Sequence, residues 1–142
     1  LLAEPVLSVA KKNVDNVYQI LDLQEAYRSL FGDDYPQAGI FVKKSFAEKN
    51  KEFIALFLEK VTESTNFINT NKEQAYDYYN ELELSPPFLK EVFINSVAGS
   101  NIGFLNNEDS KTLIEDYFNM ILDFKPPLVG GKLPDDNFYF DY

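Results

Sequence analysis

The sequence predicts an α/β fold: a few short strands followed by several helices. Three observations predict it. Residues 17–21 (VYQIL) and 38–42 (AGIFV) are β-branched and aromatic in the manner of strands. From Ile54 to Leu122, apolar residues recur three and four apart, the spacing of helix faces. The strand-like runs alternate with capped helical stretches in the first third of the chain, the order of an α/β opening.

Taken in order, residues 1–3 (LLA) read as the end of a strand. Pro5 suits the first turn of a helix, where its missing N–H costs nothing. Glu4 then lies at or beside the N-cap, and Val6, Leu7, Val9 and Ala10 give that helix an apolar face ending near Asn13. After the strand at 17–21, Asp22 caps a helix through Leu30, with Glu25 three residues on and Gly32 as its stop. The strand at 38–42 follows Pro36. Ser45 and Glu48 form a capping box over a short turn, and Asn50 restarts the helix whose inward face is Ile54, Phe57, Leu58, Val61, Thr65 and Ile68. Asn71 and Gln74 open the next helix, with Ala75, Tyr78, Tyr79 and Leu82 inward. Ser85 and Pro86 then cap a helix striped by Phe88, Leu89, Val92, Phe93 and Val97. The last helix carries the clearest stripe, Leu113, Ile114, Tyr117, Phe118, Ile121 and Leu122, and Pro126–Pro127 ends it. The tail, GGKLPDDNFYFDY, concentrates Phe138, Tyr139, Phe140 and Tyr142, which are expected to pack down on the body. So few strands are marginal without further pairing, so the sheet is expected to draw on polypeptide outside this chain.

Composition narrows the function classes. Apolar residues make up 45% of the 142, enough to build a core. No apolar run reaches the roughly 20 residues of a membrane span, and no signal peptide is visible, so one would lie upstream of Leu1. The net charge of −10 argues against a nucleic-acid binder and against docking on anionic lipid. With no Cys and no His, this segment cannot assemble a Ser-His-Asp triad or a zinc site by itself. The adjacent pairs Asp33–Asp34 and Asp135–Asp136 lack the alternate spacing of a calcium loop and read as solvated turn residues. No metal and no cofactor is expected.

Four stretches, LLAEPV, the long run YPQAGIFVKKSFAEKNKEFIALFLEKVTESTNFINTNKEQA, SPPFLKEVF and GGKLPDDNFYFDY, resemble in this order the later part of a family. It is the periplasmic solute-binding proteins of ABC importers, of the nitrate, taurine/sulfonate and thiamine-pyrimidine type. The resemblance implies the C-terminal part of a type II periplasmic-binding-protein fold. Residues 1–142 would form a single fragment holding the interlobe crossover and the C-terminal portion, with an N-terminal portion of the same protein missing. It implies a protein, not an enzyme, that captures a small molecule between two lobes and delivers it to the membrane permease of the importer. Its place would be extracytoplasmic, in the periplasm or as a lipoprotein anchored on the outer face. Two alternatives stand beside it: a thiamine-pyrimidine precursor synthase of the same fold, whose His and Cys would lie outside this segment, and an acidic helical interaction module.

Glu4 is the leading ligand-binding candidate. A carboxylate at a strand end facing a cleft can accept hydrogen bonds from a cationic or amide-bearing ligand. The simpler role, and the preferred one, is to cap the helix after Pro5. Asn101 and Phe104, in the loop after Gly99, are weaker candidates for a pocket mouth; a loop that anchors an aromatic in the core explains them better. The tail aromatics could stack on a heteroaromatic ligand, and Lys43–Lys44 could face an anion, but packing and solvation account for both.

Overall fold

The computed structural model describes residues 1–84 and 87–140. Among them are α1 (Val6–Asn13), α2 (Leu23–Phe31), α3 (Lys44–Ala47), α4 (Lys51–Thr70), α5 (Lys72–Glu81), α6 (Lys90–Gly99) and α7 (Asn107–Phe124). Two short 3₁₀ turns follow, at Pro126–Val129 and Asp136–Phe138. Among the described residues 62% are helical and no strand or sheet occurs.

This overturns the expected α/β fold and, with it, the type II periplasmic-binding-protein architecture. The three strand-like runs, 1–3, 17–21 and 38–42, have no regular secondary structure. The physical reason lies in pairing. A strand persists only when a neighbour takes up its backbone groups. No backbone group of residues 37–42 forms a backbone hydrogen bond among the described residues. Their β-branched and aromatic side chains are correspondingly exposed: Ile20 is 97% accessible and Phe41 80%.

Local signals fare better. Asp22 caps α2: its Oδ1 accepts from the backbone N–H of Gln24 at 3.0 Å and of Glu25 at 3.1 Å. Gly32 ends that helix at φ +88°, which glycine adopts without a Cβ penalty. Asn106 caps α7 by accepting from Asp109 N–H at 3.2 Å. The Ser45/Glu48 box does not form. α3 begins two residues earlier, with Lys43 as N-cap, and Ser45 lies inside it. Asn50 precedes α4 as expected, and its side chain donates back to the Phe46 carbonyl at 2.8 Å. Asn71 stands at the α5 N-cap without a side-chain cap bond. α6 opens at Lys90 after Leu89, so Phe88 and Leu89 precede the helix; the expected Ser85–Pro86 cap lies outside the described residues.

The chain divides into two compact units. The first holds residues 1–19 and 55–104. There α1 packs on α6 and α5 on α6, burying Ser8, Ala75, Val92 and Val97. Tyr76, Tyr79, Phe88 and Phe93 form an aromatic cluster, with Tyr79 and Phe93 centroids 5.1 Å apart. The Tyr79 hydroxyl accepts the Phe88 N–H at 3.1 Å, which fixes the approach to α6. The second unit holds residues 20–54 and 105–142. Its α7 meets the Pro126–Val129 turn, and Tyr27, Tyr35 and Tyr117 pack ring to ring, Tyr35 stacked on Tyr117 at 5.8 Å. Gln24, Ala47 and Ile54 are buried there.

Burial is sparse. The accessible area is 10847 Å². A compact 16.3 kDa monomer would expose about 7,500 Å², and two separate globules of half that mass about 9,000 Å² together. The excess therefore lies within the units themselves. Much of it is contributed by large apolar side chains, among them Tyr18, Ile20, Leu30, Phe41, Phe124 and Leu128.

Candidate functional site

Glu4, Asn101 and Phe104 all fall in the first unit. Glu4 precedes Pro5 through a cis peptide bond and is half-buried. Its Oε2 accepts the backbone N–H of Ser8 at 3.1 Å. Ser8 is the third residue of α1, so this bond satisfies one of the helix's orphan donors. The other oxygen lies against Gly99, the last residue of α6. A β-carbon at position 99 would meet Glu4 Oε1 at 2.7 Å, closer than side-chain atoms pack. The carboxylate is thus held between the start of α1 and the end of α6.

Two residues on, Asn101 takes a left-handed backbone, φ +49°, which asparagine tolerates better than most residues. Its exposed side chain reaches only to the Gly99 carbonyl, at 3.5 Å. The loop is anchored from α4: the Asn69 amide donates to the Ile102 carbonyl at 2.6 Å and to the Thr65 carbonyl at 2.9 Å. Phe104 is half-buried. The structure therefore brings Glu4 to the loop that carries Asn101, through Gly99. The sequence reading did not single out Gly99 as a contact of Glu4. The signal open to it was a glycine at a helix end just before the candidate loop, and a close approach between distant segments leaves no other mark in one sequence.

The remaining candidates are structural. Lys44 donates to Asn137 Oδ1 at 3.3 Å. Asp136 pairs with Lys111 at 2.7 Å, and Lys111 also lies 5.1 Å from the centre of the Tyr139 ring. That ion pair holds the Asp136 carboxyl below its ordinary value. Tyr139 and Phe140 are half-buried and Phe138 is more open; Tyr142 lies outside the described residues. Burial first, and then the charge of Glu115, push the Tyr139 hydroxyl up. That hydroxyl is buried beside the Glu115 carboxylate, at a geometry short of a well-formed hydrogen bond. Asp34 accepts from Arg28 Nε at 2.8 Å, and Asp135 from the Asn137 N–H at 2.9 Å, both within turns. No cluster of acidic residues suited to a metal ion occurs among the described residues. An open concavity of about 460 Å³, lined by Tyr79, Asn80, Glu83, Leu84 and Pro87, includes none of the candidate residues.

Chemically, the Glu4 site offers a fixed carboxylate with one oxygen committed to a helix and the other lodged at a glycine. It suits a ligand that donates hydrogen bonds or carries positive charge, and it opposes an anion. Compared with protein-family models, curated proteins and solved structures, the chain finds no match in any of the three.

Proposed function

We propose that this chain is part of an extracytoplasmic solute-binding component of an ABC importer. It works with polypeptide beyond these residues to capture a small molecule and hand it to a membrane permease. The observation that carries the reading is Glu4, a half-buried carboxylate held between α1 and Gly99 beside the Asn101 loop. The ordered sequence stretches point the same way, and the reading draws nothing from the fold. Of the ligand classes that the sequence resemblance implies, Glu4 favours an amino-bearing heterocycle of the thiamine-pyrimidine kind over a sulfonate or nitrate, because a carboxylate repels anions. Calorimetry of a longer protein containing this chain, against an aminopyrimidine, taurine and nitrate, tests it. Glu4→Gln keeps the shape and removes the charge, and should raise the aminopyrimidine Kd about ten- to a hundredfold. Unchanged affinity, or equal affinity of the longer protein and of this chain alone, would overturn the reading.

A second reading is favoured by a different observation. An all-helical, acidic chain with so much exposed apolar surface fits a helical interaction module whose function is to bind another protein. The calorimetry separates the two: a module binds none of the three solutes with or without Glu4. No observation favours the synthase.

A further inference from the structure

Acidic residues outnumber basic ones by ten over the whole chain, yet residues 36–51 reverse the sign, with four lysines against Glu48 alone. Lys43, Lys49 and Lys51 are exposed and pair with no carboxylate among the described residues. Lys12, Lys60, Lys90 and Lys111 each have an acidic partner within 4 Å; Lys11, Lys72, Lys125 and Lys132 have none among the described residues either, but they are scattered along the sequence, whereas Lys43, Lys49 and Lys51 fall within one short stretch. The unpaired cations flank exposed apolar groups: Ile40, Phe41, Phe46 and Phe53. Contacts within the second unit hold this surface together. The Phe41 ring meets Phe138 edge-on at 6.1 Å, Phe46 meets Phe53 at 5.9 Å, and Lys44 bonds Asn137. The backbone groups of 37–42 take part in no backbone hydrogen bond among the described residues.

We propose that this face docks an acidic, apolar segment of polypeptide, lying along residues 38–42 with aliphatic side chains against Phe41 and Ile40 and carboxylates opposite Lys43, Lys49 and Lys51. Charge complementarity selects the occupant. Uncompensated lysines around an apolar strip favour carboxylates at the rim of whatever covers it. The free N–H and C=O groups of 37–42 offer main-chain hydrogen bonds that an extended peptide can complete in register and that the acyl region of a lipid surface cannot. A second copy docking two-fold through this same face would set Lys43, Lys49 and Lys51 against their own counterparts. The chain's remote acidic groups do not cancel the patch for a short segment, because charges beyond about 10 Å are screened at ordinary salt. The proposal rests on the reading that other polypeptide covers this chain's exposed surface, common to both functions above, and not on either one.

Selection of a displayed random peptide library on the 142-residue chain tests it. Enriched peptides should carry aliphatic residues flanked by Asp or Glu. The variant Lys43→Glu/Lys49→Glu/Lys51→Glu, at exposed positions that make no ion pair, should invert the flanks to Lys and Arg. One enriched, fluorescein-labelled acidic peptide should lose about tenfold in affinity on Phe41→Ser, and should weaken as salt is raised. Enrichment of apolar peptides without acidic residues, the same flanks from the triple variant as from the original chain, or no enrichment at all, overturns the proposal. So does self-association that Phe41→Ser abolishes in the absence of peptide enrichment, which assigns the face to a second copy. Binding to phosphatidylglycerol vesicles that Phe41→Ser abolishes, again without peptide enrichment, assigns it to lipid and overturns it equally. Failure of the parent reading looks different: the chain would then show no excess exposed apolar surface in solution, whatever the library returns.

Discussion

With one oxygen on the Ser8 N–H and the other against Gly99, the carboxylate of Glu4 ties two positions 95 residues apart into one packing unit. Glu4→Ala should cost roughly 0.5–2 kcal/mol, the range for losing a helix cap. Gly99→Ala must push the carboxylate aside and should cost a similar amount. Combined, the two should cost much less than their sum, since the first change already removes what the second disturbs. Urea titrations of the two single variants and the double close this cycle, and additive costs would show that the close approach carries no energy. The cap was legible, because Glu-Pro before an apolar run marks a helix start. Gly99 was not, because its role depends on a residue far away in the sequence. The half-buried Tyr27 makes a second residue-scale case. Burial first, then Asp116, raises the Tyr27 hydroxyl above its ordinary value. A group whose folded value is raised holds its proton longer in the native state. Its contribution is intact below about pH 10, the unfolded value, and is lost as pH climbs toward the folded one. Stability should therefore fall above pH 10, and Tyr27→Phe should blunt the fall in pH-dependent melting. A loss of the same size in wild type and variant would place the titrating group elsewhere.

Among the elements, α7 shows how far a stripe can be trusted. Leu113, Ile114, Tyr117, Phe118, Ile121 and Leu122 turn inward together, while Thr112, Asp116, Asn119 and Asp123 face water. Period alone identified that face. It did not give the depth, since none of the six is fully buried: the layer over α7 is thin. Phe118→Ala should accordingly cost about 1.5–2.5 kcal/mol, roughly half the figure for a core phenylalanine. A loss near 4 kcal/mol in chemical denaturation would mean a deeper core in solution. Tyr139 gives the opposite expectation. Its ring sits beside Lys111, but its buried hydroxyl meets the Glu115 carboxylate short of good hydrogen-bond geometry. Tyr139→Phe keeps the ring and removes a desolvated hydroxyl whose contact with Glu115 is poorly aligned, so melting temperature should stay level or rise. A drop of several degrees would reveal a hydrogen bond to the hydroxyl. The strand-like runs were misread for a related reason. Propensity at 17–21 and 38–42 describes side chains suited to a sheet, but a sheet is a property of pairs. Helix caps such as Asp22 and stops such as Gly32 are satisfied within a few residues, which is why they were readable.

At the scale of the whole molecule, composition and burial pull apart. A chain with 45% apolar residues has the material for a core, yet its folded form leaves 10847 Å² accessible. The extended chain would expose about 23,600 Å², so folding removes about 54% of it, against roughly 68–70% for a compact domain near this size. That fraction falls below even the roughly 60% of a 60-residue domain. The denaturant slope scales with the area exposed on unfolding. The isolated chain should therefore unfold in urea with a slope about three-quarters that of a compact domain of its length. It should also bind a hydrophobic dye such as ANS in its native state. Both effects should shrink when a covering polypeptide is added, because burial that the chain cannot supply internally is supplied across an interface. Sedimentation at several concentrations completes the measurement. A full-sized slope without dye binding, from a chain that sediments as a monomer, would mean that these apolar groups find one another within the chain, and neither a docking segment nor a completing polypeptide would then be needed.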